Sequence, residues 1–325
     1  MKDLMLVELT RLRWRRAVVV LLLGCLLVPA AIWAGAAWGT RPFSDAEVAE
    51  AERMAQIESA QPWVAQEIAA CESDPEMYGV GAAAECPDMI MPTARNYLYR
   101  PTLEVGSVLE NEAVAVVALL AVLLLILGTT FVGHDWNTGS ISNQLLFEPR
   151  RARVWVAKGL AVLLVGVVAA AVALLLFWAA IAVLIGQRDL PVEPGQWADV
   201  RATSVRGVLL VALAGVLGYA LTMLLRSTVA TLGIGLGIAA AGSLAAVAVF
   251  GEGVQSWLLP TNALAVLNDG YEFYDWSQAC DSMMDGPTSE CVRTISLADG
   301  TTYLAVVLVV VVAASLLSFR RRDLP

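Results

Sequence analysis

The sequence predicts an all-α polytopic membrane protein with six transmembrane helices, an N-terminal amphipathic helix and two disulfide-stapled extracellular segments. First, 58% of the 325 residues are hydrophobic and the mean hydropathy is +0.68, which is far above the range of a soluble domain. Second, six apolar runs are each long enough to cross about 30 Å of hydrocarbon. Third, acidic and basic residues concentrate in different connecting segments, which indicates a fixed orientation in the membrane.

The N-terminal segment, residues 1–16, mixes Leu, Val and Trp with charged residues at spacings that give a helix one apolar and one basic face. We expect this helix to lie along the inner leaflet, either as a positive-inside anchor or as an element that couples energy to the spans. The same basic residues, the apolar run after them and the small residues at 34–37 also fit a secretory signal peptide. The length of the apolar run favours a retained span over a cleaved one.

The predicted spans cover residues 17–39, 113–133, 159–186, 207–225, 227–250 and 301–319, and none of them contains Asp, Glu, Lys, Arg or His. Secondary transporters usually hold ionisable residues within their spans, so the sequence disfavours that class. In the fifth span, Gly233 and Gly237 have a small-xxx-small spacing that allows close approach of another helix. That helix could belong to the same chain or to a second copy.

Charge sets the predicted orientation. The N-terminal segment, residues 134–158, Arg226 and the tail 320–325 together hold 13 basic and 5 acidic residues, whereas residues 40–112, 187–206 and 251–300 hold 8 basic and 25 acidic residues. Because cytoplasmic loops retain Lys and Arg, both termini are predicted to be cytoplasmic. The net charge of −9 therefore belongs to the exported side and does not indicate nucleic-acid binding.

Two of the predicted extracellular segments are long. Residues 40–112 exceed what a connector needs, and Ser44 followed by Glu47 is a capping-box pattern that predicts a helix ending near Gln61. The second long segment, residues 251–300, begins with the sequence S-W-L-L-P-T-N-A-L-A-V-L, which is apolar enough to form a re-entrant helix. We expect a small cap on the exported side rather than an independent enzyme.

Four of the five cysteines lie in these two extracellular segments. Cysteines in an oxidising compartment favour disulfides. Four cysteines allow three pairings, and we favour the two local pairs, Cys71 with Cys86 and Cys280 with Cys291. Free thiols or metal ligands are the alternatives. A Cys/His zinc site is disfavoured because the single histidine, His134, lies on the opposite side.

Motifs for phosphate-loop ATP binding, zinc hydrolysis and serine hydrolysis are absent from the sequence. The chain is therefore not expected to be an enzyme, and it is expected to bind no cofactor of its own.

The segment 134–158 is a polar, arginine-ending loop between two long apolar runs. It contains G-S-I at residues 139–141, P-R-R at 149–151 and a final lysine, Lys158. These resemble the G-T-L, P-x-x-R and final lysine of permease subunits in type-two ATP-binding-cassette (ABC) exporters, especially actinobacterial members. Ser140 stands where threonine is usual, and Pro149 comes one place late. The six-span plan and the ending F-R-R-R-D at residues 319–323 also resemble this family.

The resemblance implies a permease that works with a second copy or a homologous subunit, in a bacterial plasma membrane. A separate cytoplasmic ATPase would bind ATP and Mg²⁺ and drive alternating access. In this family the loop between spans two and three docks into the ATPase, which implies contact residues Trp136, Gly139, Pro149, Arg150, Arg151 and Arg153. The arginines could instead only enforce topology or bind anionic membrane lipid.

Charge-free spans favour an apolar or amphiphilic cargo such as a drug, an antibiotic or a lipid. Two other functions remain open. One is a membrane sensor whose extracellular loops bind a ligand, and the other is a membrane enzyme that is active without an ATPase.

Overall fold

The computed structural model describes residues 2–237, 242–275 and 291–321. The chain divides into two compact units. The larger comprises Met1–Ala34 with Glu104–Pro325, and the smaller, which we name the stapled unit, comprises Gly35–Leu103.

Helices dominate both units. In chain order they are α1 (Lys2–Arg13), α2 (Arg16–Gly39), α3 (Asp45–Ser59), α4 (Pro62–Ser73), α5 (Cys86–Ile90), α6 (Val105–Glu110), α7 (Glu112–Asn137), α8 (Ser140–Phe147), α9 (Arg151–Gln187), α10 (Gln196–Leu225), α11 (Thr228–Leu236), α12 (Ser243–Phe250), α13 (Leu259–Leu267) and α14 (Leu297–Arg321). Two short antiparallel strands, β1 (Tyr271–Tyr274) and β2 (Val292–Ile295), precede α14, with Tyr271 opposite Ile295.

Five segments in the described ranges are long and apolar enough to cross a membrane: Arg16–Gly39, Val105–Asn137, Arg151–Gln187, Gln196–Leu225 and Leu297–Arg321. They correspond to predicted spans one, two, three, four and six, which agrees with the predicted helical, polytopic architecture. The predicted fifth span, residues 227–250, contains α11 and α12, but residues 238–241 between them lie outside the described part. The count of six spans therefore stays a prediction.

The helices extend past the limits that hydropathy suggested. α9 begins at Arg151 rather than near 159, so Lys158 lies inside a continuous helix of 37 residues. α7 continues to Asn137, so Asp135 also lies within a helix. A hydropathy window ends at the first charged residue, whereas a helix continues while its backbone hydrogen bonds are made.

The centre of the larger unit is the packing of α10 against α7, with α9 and α14 also packed on α10. Glycines permit this close approach: a Cβ added at Gly128 of α7 or Gly218 of α10 would collide with backbone of the facing helix. A Cβ at Gly207 would lie 2.8 Å from Val117 Cγ2. Small residues at helix interfaces let backbones come together without a hydrophobic driving force.

The stapled unit confirms two sequence predictions. Ser44 and Glu47 form the capping box, in which the Ser44 N–H donates to Glu47 Oε2 at 2.8 Å, and α3 ends at Ser59. Cys71 and Cys86 form a disulfide. Both cysteines are fully buried and pack with Val80 in the small core of this unit.

Residues 251–300, the second segment predicted to be extracellular, are described only in part. Ala265 of α13 packs against Phe273 and Ile295 of the two strands. Cys280 lies outside the described residues, so its pairing with Cys291 stays a prediction. The re-entrant character of the α13 region also stays a prediction.

Candidate functional site

The loop between α7 and α9 contains a short helix of its own, α8. Gly139 adopts a left-handed conformation (φ 68°) at the position before α8, which glycine reaches without a Cβ penalty. α8 ends at Phe147, two residues before Pro149, and α9 begins at Arg151. The loop therefore contains a helix of 8 residues between Gly139 and Pro149.

Beneath this loop lies a group of buried charges, Glu8, Arg15, Asp135 and Lys158, which we name the charged cluster. Glu8, Asp135 and Lys158 are fully buried. Lys158 Nζ lies 2.8 Å from Glu8 Oε2 and 2.7 Å from Asp135 Oδ2. Arg15 pairs with the other oxygen of Asp135 and also donates to the carbonyl of Phe131.

The four residues of the charged cluster carry two negative and two positive charges, and Arg11 at its edge lies 3.7 Å from Glu8 Oε1. An isolated charge could not be buried at this depth, because removal from water costs several kcal/mol per ion unless a partner compensates it. The aromatic ring of Phe131 adds a further contact, since Lys158 Nζ and Arg15 Cζ lie 5.2 and 4.7 Å from its centroid. The four charges therefore fix α1, α7 and α9 to one another.

The α1 helix also holds α8. Gln144 Nε2 donates to Glu8 Oε1 at 2.6 Å, and Arg11 donates to Ser140 Oγ at 3.1 Å. Because Glu8 accepts from both Gln144 and Lys158, a single carboxylate bridges α8 to α9. Hydrogen bonds through Glu8 of α1 therefore connect α8 to the long apolar helix α9.

This arrangement differs from the simple amphipathic helix expected at residues 1–16. Arg11 and Arg15 face the protein and its acidic partners, while Leu6, Val7 and Trp14 are exposed. The sequence pattern showed mixed apolar and basic positions, but it could not show that Asp135 and Glu8 would neutralise two of the arginines.

The outer surface of α8 and its flank is both apolar and basic. Leu146 and Phe147 are 80% and 91% exposed. Pro149, Arg150 and Arg153 are also exposed, and Arg151 is half-buried at the start of α9. Large apolar side chains next to exposed arginines form a surface suited to a protein partner, since aromatic and Arg residues are enriched at interfaces.

Trp136 lies elsewhere, packed within the bundle. Its ring makes an edge contact with Phe319 of α14 at 6.3 Å, and Arg226 lies over it at 4.8 Å. The residue joins the ends of α7 and α14 to the turn between α10 and α11. Trp136 therefore contacts the bundle rather than the exposed surface of the loop.

Gly233 and Gly237 are exposed on α11 and immediately after it. A Cβ at either position would meet nothing within 4 Å among the described residues. In the described part, glycines permit close backbone approach between α7 and α10, at Gly128 and Gly218, and between α13 and α14, at Gly300.

Sequence reasoning missed four residues of this region: Glu8, Asp135, Leu146 and Phe147. Asp135 and Lys158 lie 23 residues apart at the two ends of the loop, which is a signal of pairing between adjacent antiparallel helices. Leu146 and Phe147 stand out as consecutive apolar residues in a polar loop.

Comparisons with protein-family models, with curated proteins and with solved structures found no match.

Proposed function

We propose that this chain is the membrane-spanning permease subunit of an ABC exporter. In this proposal it lies in a bacterial plasma membrane with both termini cytoplasmic, and it works with a second copy or a homologous permease. A separate ATPase binds ATP and Mg²⁺ and drives alternating access. The cargo is apolar or amphiphilic, such as a drug, an antibiotic or a lipid.

The observation that carries the proposal is the connection of α8. A short helix presents Leu146 and Phe147 outward, while its inner side is joined to α1 and, through Glu8, to α9. A loop that served only as a connector would need neither an exposed apolar tip nor a buried charged cluster behind it. A docking helix for a moving partner needs both.

The first experiment tests the docking surface. The chain is co-expressed with each cassette ATPase encoded by the same genome, and the complex is purified through a tag on the permease. We expect one ATPase to co-purify. Leu146→Ser with Phe147→Ser should abolish this, because exposed apolar and aromatic side chains at the centre of an interface contribute most of its binding energy.

The matched control is Met77→Ser with Tyr99→Ser, which changes two side chains of similar exposure, 77% and 88%, in the stapled unit. This variant should retain the ATPase. Equal retention of the ATPase by both variants would show that α8 is not part of the interface. Failure of every ATPase to associate with the wild-type protein would contradict the proposed function itself.

A second experiment tests the orientation. Single cysteines are introduced at Ser59 or Ser142 in a variant without the native extracellular cysteines. A membrane-impermeant reagent should label residue 59, but not residue 142, in intact cells. Labelling at residue 142 alone would reverse the topology.

A membrane sensor is the second candidate, favoured by the compactness of the stapled unit with its own disulfide. It predicts ligand binding by this unit and no dependence on an ATPase. The co-purification experiment therefore separates the two candidates.

A further inference from the structure

A groove of about 300 Å³ lies where α1 meets α2 and α9. Its wall is almost entirely aliphatic, formed by Leu9, Leu12, Val18, Val19, Leu22, Leu23, Leu26 and Val165. The single charged side chain in the lining is Arg13. Leu12 and Val18 are only 1% exposed and form the floor, while Val19 and Leu23 are about half exposed along the open side.

The groove lies at the boundary between headgroups and hydrocarbon. α2 begins at Arg16 and has 24 residues, which is close to the length needed to cross the hydrocarbon. The junction of α1 and α2 therefore lies at a membrane surface. Trp14, which is 77% exposed at this junction, is an aromatic residue of the kind found at headgroup level.

The dimensions of the groove match part of a lipid chain. Its lining on α2 runs from Val18 to Leu26, a rise of about 12 Å at about 1.5 Å per residue. One leaflet of the hydrocarbon is about 15 Å thick, taken as half of the core. An acyl chain that lies along α2 would fill the groove over most of a leaflet.

The basic residues near the groove favour a lipid with an anionic headgroup. Two of the four arginines in this region, Arg11 and Arg15, are paired with Glu8 and Asp135. Arg13 and Arg16 are exposed, and within the described ranges neither forms an ion pair. Arg13 lines the groove, and Arg16 begins α2 three positions later. A guanidinium group beside an apolar groove, without an ion-pair partner among the described residues, complements a phosphate that carries net negative charge.

We propose that this groove binds one anionic phospholipid, with an acyl chain along α2 and its phosphate held by Arg13 and Arg16. The bound lipid joins α1 to the outer faces of α2 and α9, opposite the charged cluster that holds the inner face of α1. α1 is then fixed on both sides, by protein charges on one side and by a lipid on the other. This proposal does not depend on the proposed transport function.

The test uses the full-length protein in detergent with two probes, phosphatidylglycerol and phosphatidylcholine. Native mass spectrometry counts the lipids retained, and the thermal midpoint is followed as each lipid is titrated, because a ligand that binds the folded state stabilises it by mass action. We expect one phosphatidylglycerol to be retained in preference to phosphatidylcholine. Arg13→Gln with Arg16→Gln should weaken phosphatidylglycerol binding roughly 25-fold, at about fivefold per arginine near a charged lipid surface.

Two matched controls make the test specific. Arg320→Gln with Arg321→Gln removes two exposed arginines at the end of α14 and should leave the affinity unchanged. Leu23→Trp places a bulky ring in the groove and should prevent retention, whereas Leu27→Trp, at a position 67% exposed on the same helix but outside the lining, should not.

Three results would overturn the proposal. An equal loss of affinity in the Arg320 and Arg321 variant would show nonspecific attraction to positive charge. Unchanged retention with Leu23→Trp would place the lipid elsewhere. Loss of a dimer rather than of lipid with Leu23→Trp would show that a second copy of the chain occupies the groove.

Discussion

The charged cluster and the stapled unit both hold short helices in place, but they use different interactions. Short helices are marginally stable in isolation. In the charged cluster, buried Glu8, Asp135 and Lys158 hold α1 and α8 on the bundle. In the stapled unit, a disulfide closes the small core around Val80, and none of the charged residues is fully buried.

The difference teaches where an ion pair contributes to structure. Lys158 and its two carboxylate partners are fully buried, so bulk water cannot take the place of the lysine if it is lost. Arg53 and Glu50 in the stapled unit are close in space as well, at 2.6 Å, but their side chains are 62% and 58% exposed. Water can replace either partner there. An ion pair is therefore expected to contribute more to the free energy of unfolding when it is buried than when it is exposed.

The largest expected effect is that of Lys158→Met, which removes the closest cation to Glu8, leaving only Arg11 at 3.7 Å, and removes one of two cations beside Asp135. Breaking a buried pair from one side typically costs about 3–5 kcal/mol. We expect a corresponding loss in the free energy of unfolding, measured by denaturant titration in detergent. Adding Glu8→Gln should recover part of the loss, because Asp135 then remains balanced by Arg15. A double variant less stable than Lys158→Met would contradict this account of the cluster.

The next effect is that of Cys71→Ser with Cys86→Ser, which opens the covalent closure of the stapled unit. The two cysteines are 15 residues apart, and closing a loop of that length contributes about 3 kcal/mol by restricting the unfolded chain. Limited proteolysis should then cut within Gly35–Leu103 while the transmembrane helices stay intact. Reduction of the wild-type protein should give the same fragments. Protease resistance equal to that of the oxidised protein would show that the small core suffices.

A smaller effect is expected at Glu47. The backbone N–H of Ser44, together with Arg100 and the Ser44 hydroxyl, lowers the pKa of Glu47 from 4.5 to about 2. A lowered carboxyl pKa adds stability that is fully present above the unfolded-state value and is lost as the pH falls through the folded-state value. The stapled unit should therefore weaken between about pH 4.5 and pH 2.

Hydrogen exchange of α3 as a function of pH measures this effect. Glu47→Gln should remove the part of the pH dependence that belongs to the capping box. A wild-type profile that Glu47→Gln leaves unaltered would show that other carboxyl groups are responsible.

The smallest effect is that of Arg53→Met, the counterpart of Lys158→Met at an exposed pair. Exposed ion pairs are screened by water and salt, and many contribute nothing measurable. The thermal midpoint should stay within experimental error of the wild-type value. A loss of stability comparable to that of Lys158→Met would show that buried and exposed ion pairs contribute equally in this protein.

The sequence was sufficient for the features that depend on local pattern. Apolar runs predicted six spans, five of which correspond to helices of membrane-spanning length among the described residues, and Ser44 with Glu47 predicted the start of α3. Cys71 and Cys86 were correctly paired because they are close along the chain. Composition and short-range spacing contain this information directly.

The charged cluster could not be predicted in the same way. Glu8 and Lys158 are separated by 150 positions, so their contact depends on how α1 packs against α9. Hydropathy excluded both residues from the spans, and they were interpreted as part of polar flanking segments. The exposure of Leu146 and Phe147 likewise follows from the orientation of α8, which no local pattern fixes.

The most direct test of the central claim is co-purification of a cassette ATPase with a variant that carries Arg150→Glu and Arg151→Glu. The control variant carries Arg320→Glu and Arg321→Glu, which makes the same change of charge in another segment predicted to be cytoplasmic. The account predicts that the first variant inserts and folds but retains neither the ATPase nor its ATP hydrolysis, while the control retains both. Full retention by a correctly inserted Arg150 and Arg151 variant would contradict it.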